Sequence, residues 1–273
     1  MSIRISKLIN KIVMLFISII VIFPFIWLFI TSFKLEKDIV TWPPKLLADS
    51  YTLNSYLNVF RTIPLFSFIK NTVIFAGGVV ISQLLLDSMA AYALARLNFK
   101  GRKLFSYLIL LAMMIPFQVY MIPLFFLVHF MGLLDTYAGL IIPRMVMPYG
   151  IFLMRASFVS LPKDLEEAAR IDGLSEIGIF FKIMLPLVKP GLVTLAVIIL
   201  MNNWNDLLYP MMLTSNPQMR TLSAGLALFT GENIQLYGPV LAGTVISILP
   251  LLLVYALAQK YFVIGVATSG MKE

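Results

Sequence analysis

Cysteine is absent from this 273-residue sequence, and histidine occurs only once. The first absence excludes disulfide bonds and thiolate chemistry, and the second excludes a multi-histidine metal site within the chain. Charged residues are scarce as well, at 12% of the chain, against the quarter typical of soluble domains. Hydrophobic residues make up 60%, and the mean hydropathy is +0.93. A soluble fold could not cover so much apolar surface, so the composition indicates an integral membrane protein.

The charge that is present is mostly positive, with a formal net charge of +8. In a soluble protein such a balance would point to nucleic acid. In a membrane protein lysine and arginine collect in the cytoplasmic loops, which explains the excess without that partner. We therefore expect contact with membrane lipid and no nucleic-acid partner.

The long apolar runs are continuous rather than alternating, which predicts membrane-spanning helices and not barrel strands. A spanning helix needs about 20 mostly apolar residues. Six runs meet this length, at residues 12–30, 68–94, 104–128, 133–154, 190–213 and 238–262. The first run is longer than a signal-peptide core and no small-residue cleavage site follows it, so we expect it to be retained. The predicted fold is all-α, with one six-helix transmembrane domain over residues 1–273.

Lysine and arginine are distributed unequally between the two sides of these predicted spans. With the N-terminus inside, the inside segments hold 14 of them and the outside segments hold 6. Positively charged loops remain in the cytoplasm, so both termini are predicted to be cytoplasmic.

Residues 162–186, between the fourth and fifth predicted spans, form a charged segment with the signals of two short helices. Pro162 suits a first helical turn, and Gly173 suits the left-handed conformation that ends a helix. Ser175 can cap the helix that follows. The pattern predicts a helix–turn–helix module. From these signals alone, an amphipathic segment lying on the membrane surface remains an equal alternative.

The module also contains a spaced pattern: EAA, three residues, G, nine residues, then I-x-LP. This pattern resembles the signature of the inner-membrane subunits of binding-protein-dependent ABC importers. The matching positions are Glu167, Ala168, Ala169, Gly173, Ile183, Leu185 and Pro186. The segments SLPKDLEEAARIDG, NNWNDLLYP and IGVATSGMK resemble the carbohydrate-uptake branch of that family, particularly the smaller permease of the maltose-importer type.

This resemblance implies a transmembrane permease subunit of an ATP-driven sugar or oligosaccharide importer, in the inner membrane of a bacterium or archaeon. It implies a second, different permease, two ATP-binding subunits and an extracytoplasmic sugar-binding protein, with no cofactor on this chain. The module would dock on an ATPase subunit and pass its motion to the spans, in an alternating-access cycle. The chain has no G-x-x-x-x-G-K-[ST] phosphate loop, so it is not expected to be the ATPase or another enzyme.

Polar residues inside the predicted spans are expected to face protein or water, because a charge at the bilayer centre costs at least about 2.5 kcal/mol. Gln83, Asp87 and Gln118 are expected to form hydrogen bonds between helices. For Arg144 two alternatives are equal: the same kind of hydrogen bond, or an ion pair with an intramembrane acid.

The fifth predicted span holds more polar groups than helix association needs. On one continuous helix these groups share a side, and they can bond sugar hydroxyls as donors and acceptors. The predicted substrate-pathway residues are Asn202, Asn203, Asn205, Asp206 and Tyr209. The alternative is that they bond only to the partner permease.

Other functions compete with the sugar importer. An ion-gradient secondary transporter also carries polar groups at mid-membrane, but it has no need of the loop motif. A membrane enzyme, such as a lipid-linked glycosyltransferase, would require an acidic cluster or metal-ligand set, and the sequence has neither. A permease of the same family for a non-sugar solute, such as glycerol phosphate, is a further alternative, since the sequence does not specify the solute.

The predicted topology can be tested with single cysteines, because the chain has none of its own. An impermeant thiol reagent added outside the cell should label Ser50→Cys and not Gly101→Cys. Labelling of the second variant from outside would overturn the orientation.

Overall fold

The computed structural model describes the backbone of residues 2–227 and 236–269, and the side chains of residues 9–227 and 236–259. Within these ranges the regular structure is helical, apart from an isolated bridge between Lys34 and Tyr51. The all-α prediction is confirmed. Of the C-terminal segment IGVATSGMK, no side chain is described, and the backbone is described only as far as residue 269.

The α-helices, in chain order, are α1 (Ser2–Ser32), α2 (Glu36–Ile39), α3 (Asn54–Thr62), α4 (Leu65–Arg96), α5 (Arg102–Met113), α6 (Phe117–Phe130), α7 (Tyr137–Ile141), α8 (Pro148–Val159), α9 (Asp164–Ile171), α10 (Glu176–Ile179), α11 (Leu185–Leu187), α12 (Lys189–Trp204), α13 (Leu208–Leu213), α14 (Leu222–Leu226) and α15 (Tyr237–Ser269). A 3₁₀ turn continues α7 over Ile142–Arg144, another lies at Pro217–Met219, and a π turn joins α10 to α11 over Phe180–Met184.

Three helices in the described part of the chain are long and apolar enough to cross a membrane. Their apolar stretches are Ile9–Ser32, Leu65–Arg96 and Tyr237–Gln259, where the first, second and sixth spans were predicted. The number of candidate spans rises to six if each of three sharply bent helix pairs is one span.

The third, fourth and fifth predicted spans are not continuous helices. Between α5 and α6 the chain bends by 100°, and between the α7 segment and α8 by 47°. In the fifth predicted span, α12 ends at Trp204 and α13 begins at Leu208.

Each of these breaks precedes a proline: Pro116, Pro148 or Pro210. A proline ring clashes with the carbonyl four residues earlier. The preceding helical segments end at Met113, Arg144 and Trp204, within two residues of that carbonyl. Pro24 and Pro250, in contrast, lie inside α1 and α15, so proline alone does not decide where a helix breaks.

The chain divides into two compact units, one of them residues 66–225 with 251–273 and the other residues 1–65 with 226–250. The first unit has a core of fully buried side chains from α4, α7, α8, α10, α12 and the module, including Phe75, Leu140, Met154, Phe158, Ile179, Met184 and Leu195. In the other unit the Glu36 carboxylate accepts hydrogen bonds from the backbone N–H groups of Tyr237 and Gly238, at 2.7 and 2.9 Å. An acid at the first turn of α15 is favourable, because a helix N-terminus carries partial positive charge.

The predicted helix–turn–helix is present at residues 162–186. α9 ends at Ile171, and Gly173 has φ +83°. The Ser175 hydroxyl then caps α10 by accepting the Gly178 N–H at 3.2 Å. The second helix is less regular than expected, because a π turn follows its first α-helical turn. At Val188 the chain bends by 79° into α12.

Gly101 adopts φ +90° immediately before α5, a conformation that strains residues with a side chain. A cysteine there would disturb the turn that it is meant to report on. Lys100, which is exposed and has no such backbone constraint, is the better position for the thiol-labelling test.

Close packing between α4 and α8 generates a stability prediction. A Cβ atom at Gly150 would lie 2.0 Å from Asp87 Oδ2, whereas a Cβ at Gly77 would meet nothing within 4 Å. Alanine favours a helix over glycine by about 1 kcal/mol, but overpacking costs about 1–3 kcal/mol. In thermal unfolding of the purified chain, Gly150→Ala should lower the Tm while Gly77→Ala leaves it equal or higher. Equal Tm values for the two variants would contradict the close approach.

Candidate coupling module and membrane ion pair

A buried ion pair joins the module to the end of α4. The Nε atom of Arg96 lies 3.0 Å from Glu166 Oε1, and both side chains are 4% exposed. The same guanidinium donates hydrogen bonds to the carbonyl oxygens of Phe158 and Leu161, each at 2.5 Å. Arg96 therefore holds α4, α8 and α9 together, which requires the several fixed donors of a guanidinium and could not be reproduced by lysine.

A second layer of contacts connects the two helices of the module. Arg170 donates to Glu176 at 2.7 Å and lies 3.5 Å from Glu166. The Tyr92 hydroxyl of α4 donates to the same Glu176 carboxylate at 3.1 Å. The hydrogen bond with Glu176 raises the pKa of Arg170 above its usual value, so this guanidinium stays charged at any physiological pH.

The predicted coupling residues divide between two environments. Ala169 is buried, and Ile183 and Leu185 pack partly buried against the core of the unit. Glu167, Ala168, Gly173 and Pro186 are exposed. One side of the motif therefore holds the module in place, and the other side forms a surface.

Sequence reasoning missed the residues that anchor this module. Glu166 and Arg170 are spaced i, i+4, a sign of a helical ion pair that was available in the sequence. Arg96 is 70 residues before Glu166 in the chain, so no local pattern could have paired them.

The second candidate site is an ion pair between two of the broken helices. Arg144, in the 3₁₀ turn after α7, lies 2.5 Å from Asp206 Oδ2, in the break between α12 and α13. Both side chains are 18% exposed. Arg144 also donates to Asn203 Oδ1 at 2.7 Å. Of the two alternatives for Arg144, the structure shows the ion pair with an acid.

Aromatic rings surround this guanidinium. Its carbon lies 3.8 Å from the ring centre of Tyr209, and Phe75 and Phe117 lie 5.8 and 5.9 Å away. A ring face attracts a cation, most strongly where water is excluded. The Tyr209 hydroxyl donates to the Leu140 carbonyl oxygen at 3.1 Å, which fixes the ring against α7.

Both carboxylate oxygens of Asp206 are in use. While Oδ2 pairs with Arg144, Oδ1 accepts the Tyr209 N–H at 3.2 Å. Asp206 thereby binds a free backbone donor at the start of α13, which is the group that a helix N-terminus leaves unpaired.

The five predicted pathway residues do not form one polar face. The helix ends at Trp204, so the continuous helical wheel that placed them together is wrong for the residues after it. Asn202 and Asn205 are exposed and Asp206 is half-buried. Asn203 and Tyr209 are buried, at 4% and 0% exposure.

Two more polar residues of α4 form the expected hydrogen bonds between helices. Gln83 donates to the Arg144 carbonyl oxygen at 2.6 Å, and Asp87 accepts the Met147 N–H at 3.0 Å. The Arg144 carbonyl group and the Met147 N–H group both belong to the break between α7 and α8, where backbone groups lack helical hydrogen-bond partners. Gln118 is exposed. Among the described residues, no group of three metal-binding side chains occurs.

Comparison with known proteins agrees with this architecture. The profile of the family "Binding-protein-dependent transport system inner membrane component" matches residues 84–263. The arabinooligosaccharides transport system permease protein of Halalkalibacterium halodurans is 38% identical, over 94% of this chain and 93% of its own length. The trehalose/maltose transport system permease protein of Thermococcus litoralis is 34% identical, over 98% of this chain and 97% of its own.

A solved structure shows the same fold. A chain from the crystal structure of a bacterial ABC transporter involved in the import of the acidic polysaccharide alginate superposes with a TM-score of 0.81 and 27% identity. The match covers 96% of this chain and 98% of that one. The chain therefore belongs to the family of binding-protein-dependent transport system inner membrane components.

Proposed function

We propose that the chain is the transmembrane subunit of an ATP-driven importer for a sugar or oligosaccharide, forms half of the translocation pathway and receives motion from an ATPase through residues 162–186. The observation that carries this proposal is the two-sided module. Its motif leaves Glu167, Ala168 and Gly173 on a surface, while Arg96 and Glu166 lock its base to α4. Relatives whose names specify arabinooligosaccharides and trehalose or maltose support the substrate class.

The partners follow from the proposed role. This chain has no phosphate-binding loop, so we place ATP hydrolysis in two separate ATP-binding subunits. A second, different permease would complete the pathway, and an extracytoplasmic binding protein would deliver the sugar. The excess of lysine and arginine in the segments predicted to be inside supports both termini in the cytoplasm of a bacterium or archaeon.

The anchoring contacts explain how the module would transmit force. Removing one member of a buried ion pair costs about 3–5 kcal/mol, so α9 cannot move away from Arg96 without a large penalty. A push on the exposed surface of α9 would instead displace α4 and α8 with it. In this proposal the network converts a motion of the ATPase into a motion of spanning helices.

We propose fewer pathway residues than the five that the sequence predicted. Asn202 and Asn205 present amides at the surface where α12 ends, and amides can donate to and accept from sugar hydroxyls. Asp206 is partly committed to Arg144, and Asn203 and Tyr209 are buried beside it. We propose that the two exposed amides line the pathway and that the buried residues position the helix break behind them.

The main test uses the assembled complex in proteoliposomes. Binding protein loaded with an arabinose- or glucose-based oligosaccharide should stimulate ATP hydrolysis and drive uptake that a protonophore does not inhibit. Uptake that a protonophore abolishes but that needs no ATP would favour the secondary transporter. Stimulation by glycerol phosphate and not by any saccharide would refute the sugar assignment while leaving the importer assignment intact.

The module's role is tested in the same assay at Gly173. A Cβ atom there would meet nothing within 4 Å, so it is the left-handed backbone conformation that resists substitution. A left-handed conformation costs ordinary residues about 1–2 kcal/mol, which corresponds to about a 5- to 30-fold effect on an equilibrium. Gly173→Val should reduce sugar-stimulated ATP hydrolysis by that factor, and the control Gly173→Asn should retain most of it, because asparagine tolerates this conformation. Full stimulation in Gly173→Val would contradict the coupling proposal.

The membrane ion pair is tested with a double-mutant cycle. Arg144→Gln or Asp206→Asn alone leaves an unpaired charge, which should lower the free energy of unfolding by about 3 kcal/mol. The double variant should recover most of that loss, as measured by denaturation of the purified chain, yet remain impaired in uptake. If the two single variants are as stable as the unmodified chain, the pair does not hold the two breaks together.

A further inference from the structure

Two adjoining cavities lie at the end of the unit that carries the module. One has a volume of about 860 Å³ and the other about 400 Å³. The side chains of Asn98, Arg102 and Arg155 line both, so they form the wall that the cavities share.

The lining of this double cavity is strongly cationic. Two acidic residues, Glu166 and Glu167, face six basic ones. The basic residues are Arg96, Arg102, Lys103, Arg155, Lys163 and Arg170. Glu166 is already shared between Arg96 and Arg170, so at most Glu167 is left to balance the other four.

The described acidic residues form no ion pair with Arg102 or Arg155, the two arginines of the shared wall. The Nε atom of Arg155 is buried and has no hydrogen-bond partner among the described residues. Arg102 donates to the carbonyl oxygens of Ala95 and Leu97, which cap the end of α4 but carry no formal charge. Burying an unpaired charged donor is unfavourable, so this wall is suited to an anion.

An apolar wall begins where the cations end. α5 starts at Arg102 and has no buried residue. Its Tyr107 and Leu110 line the larger cavity, and Phe99, which precedes α5, lines it as well. Tyrosine is enriched at the level of lipid headgroups. Beyond Tyr107, towards the C-terminal end of α5, the side chains are mostly apolar and exposed.

We propose that this cavity binds the phosphate of an anionic phospholipid, with Arg155, Arg102 and Lys103 holding the headgroup and the acyl chains lying along α5. Basic pockets at the ends of spanning helices are suited to such headgroups. A carboxylate from a protein partner would satisfy the cations but would not account for the apolar wall that continues along α5. The site is independent of the proposed transport substrate.

The test uses the full chain in nanodiscs that contain equal amounts of phosphatidylglycerol and phosphatidylcholine. After partial delipidation, native mass spectrometry counts the retained molecules of each lipid. The unmodified chain should retain phosphatidylglycerol preferentially. Arg155→Gln and Lys103→Gln should each reduce that preference about fivefold, the effect of one basic residue at an anionic surface.

The matched control is Arg61→Gln, which removes an exposed positive charge that lines neither cavity, and it should keep the original preference. Lys103 is exposed, so its variant tests the site even if Arg155→Gln proves unstable. Unchanged lipid preference in both pocket variants would overturn the proposal. Binding of inorganic phosphate that both pocket variants weaken, in an unmodified chain that retains neither lipid preferentially, would identify a free anion as the ligand instead. Unchanged preference with weaker binding of ATPase subunits would identify a protein contact.

Discussion

The ion pair between Arg96 and Glu166 is the constraint on which the arrangement of the module depends. Two charges with 4% exposure have lost most of their hydration, and this loss is tolerated only when partners surround both. Here the partners come from three helices: Arg96 belongs to α4, Glu166 belongs to α9, and the end of α8 supplies carbonyl oxygens. Because each partner is needed to offset the burial of the others, the three helix ends form a unit that resists separation. A chain with few charges has placed several of them at this junction of three helix ends.

The pair between Arg144 and Asp206 lies where two helices are broken and backbone groups need hydrogen-bond partners. Helix breaks leave backbone donors and acceptors without partners, which is costly in a membrane. Around this pair, Gln83 bonds the Arg144 carbonyl oxygen, Asp87 bonds the Met147 N–H, and Asp206 bonds the Tyr209 N–H. Side chains thus replace the helical partners that the breaks removed. Of the predicted pathway residues, Asp206 therefore also stabilises the irregular backbone at a helix break.

The lining of the cavity beside the module contains more cations than acids. Arg96 is paired with Glu166, whereas no acid in the described part of the chain pairs with Arg155. The paired Arg96 and the unpaired Arg155 therefore lie within one cluster of helix ends. A lipid phosphate at the second would link the surrounding membrane to the module.

Hydropathy, the basic bias and the spaced motif were enough to predict an all-α membrane protein with a helix–turn–helix between apolar runs. Such features are local: a run of apolar side chains, a glycine that permits φ +83° and a serine that caps a helix each act over a few residues. The breaks in three predicted spans were not determined locally, because Pro116, Pro148 and Pro210 interrupt helices while Pro24 and Pro250 do not. What decides between these outcomes is whether neighbouring groups can satisfy the freed backbone, and for two of the breaks those groups include Gln83, Asp87 and Asp206. The pairing of Arg96 with Glu166 and of Arg144 with Asp206 joins residues more than 60 positions apart, so only the tertiary structure could bring the charges together.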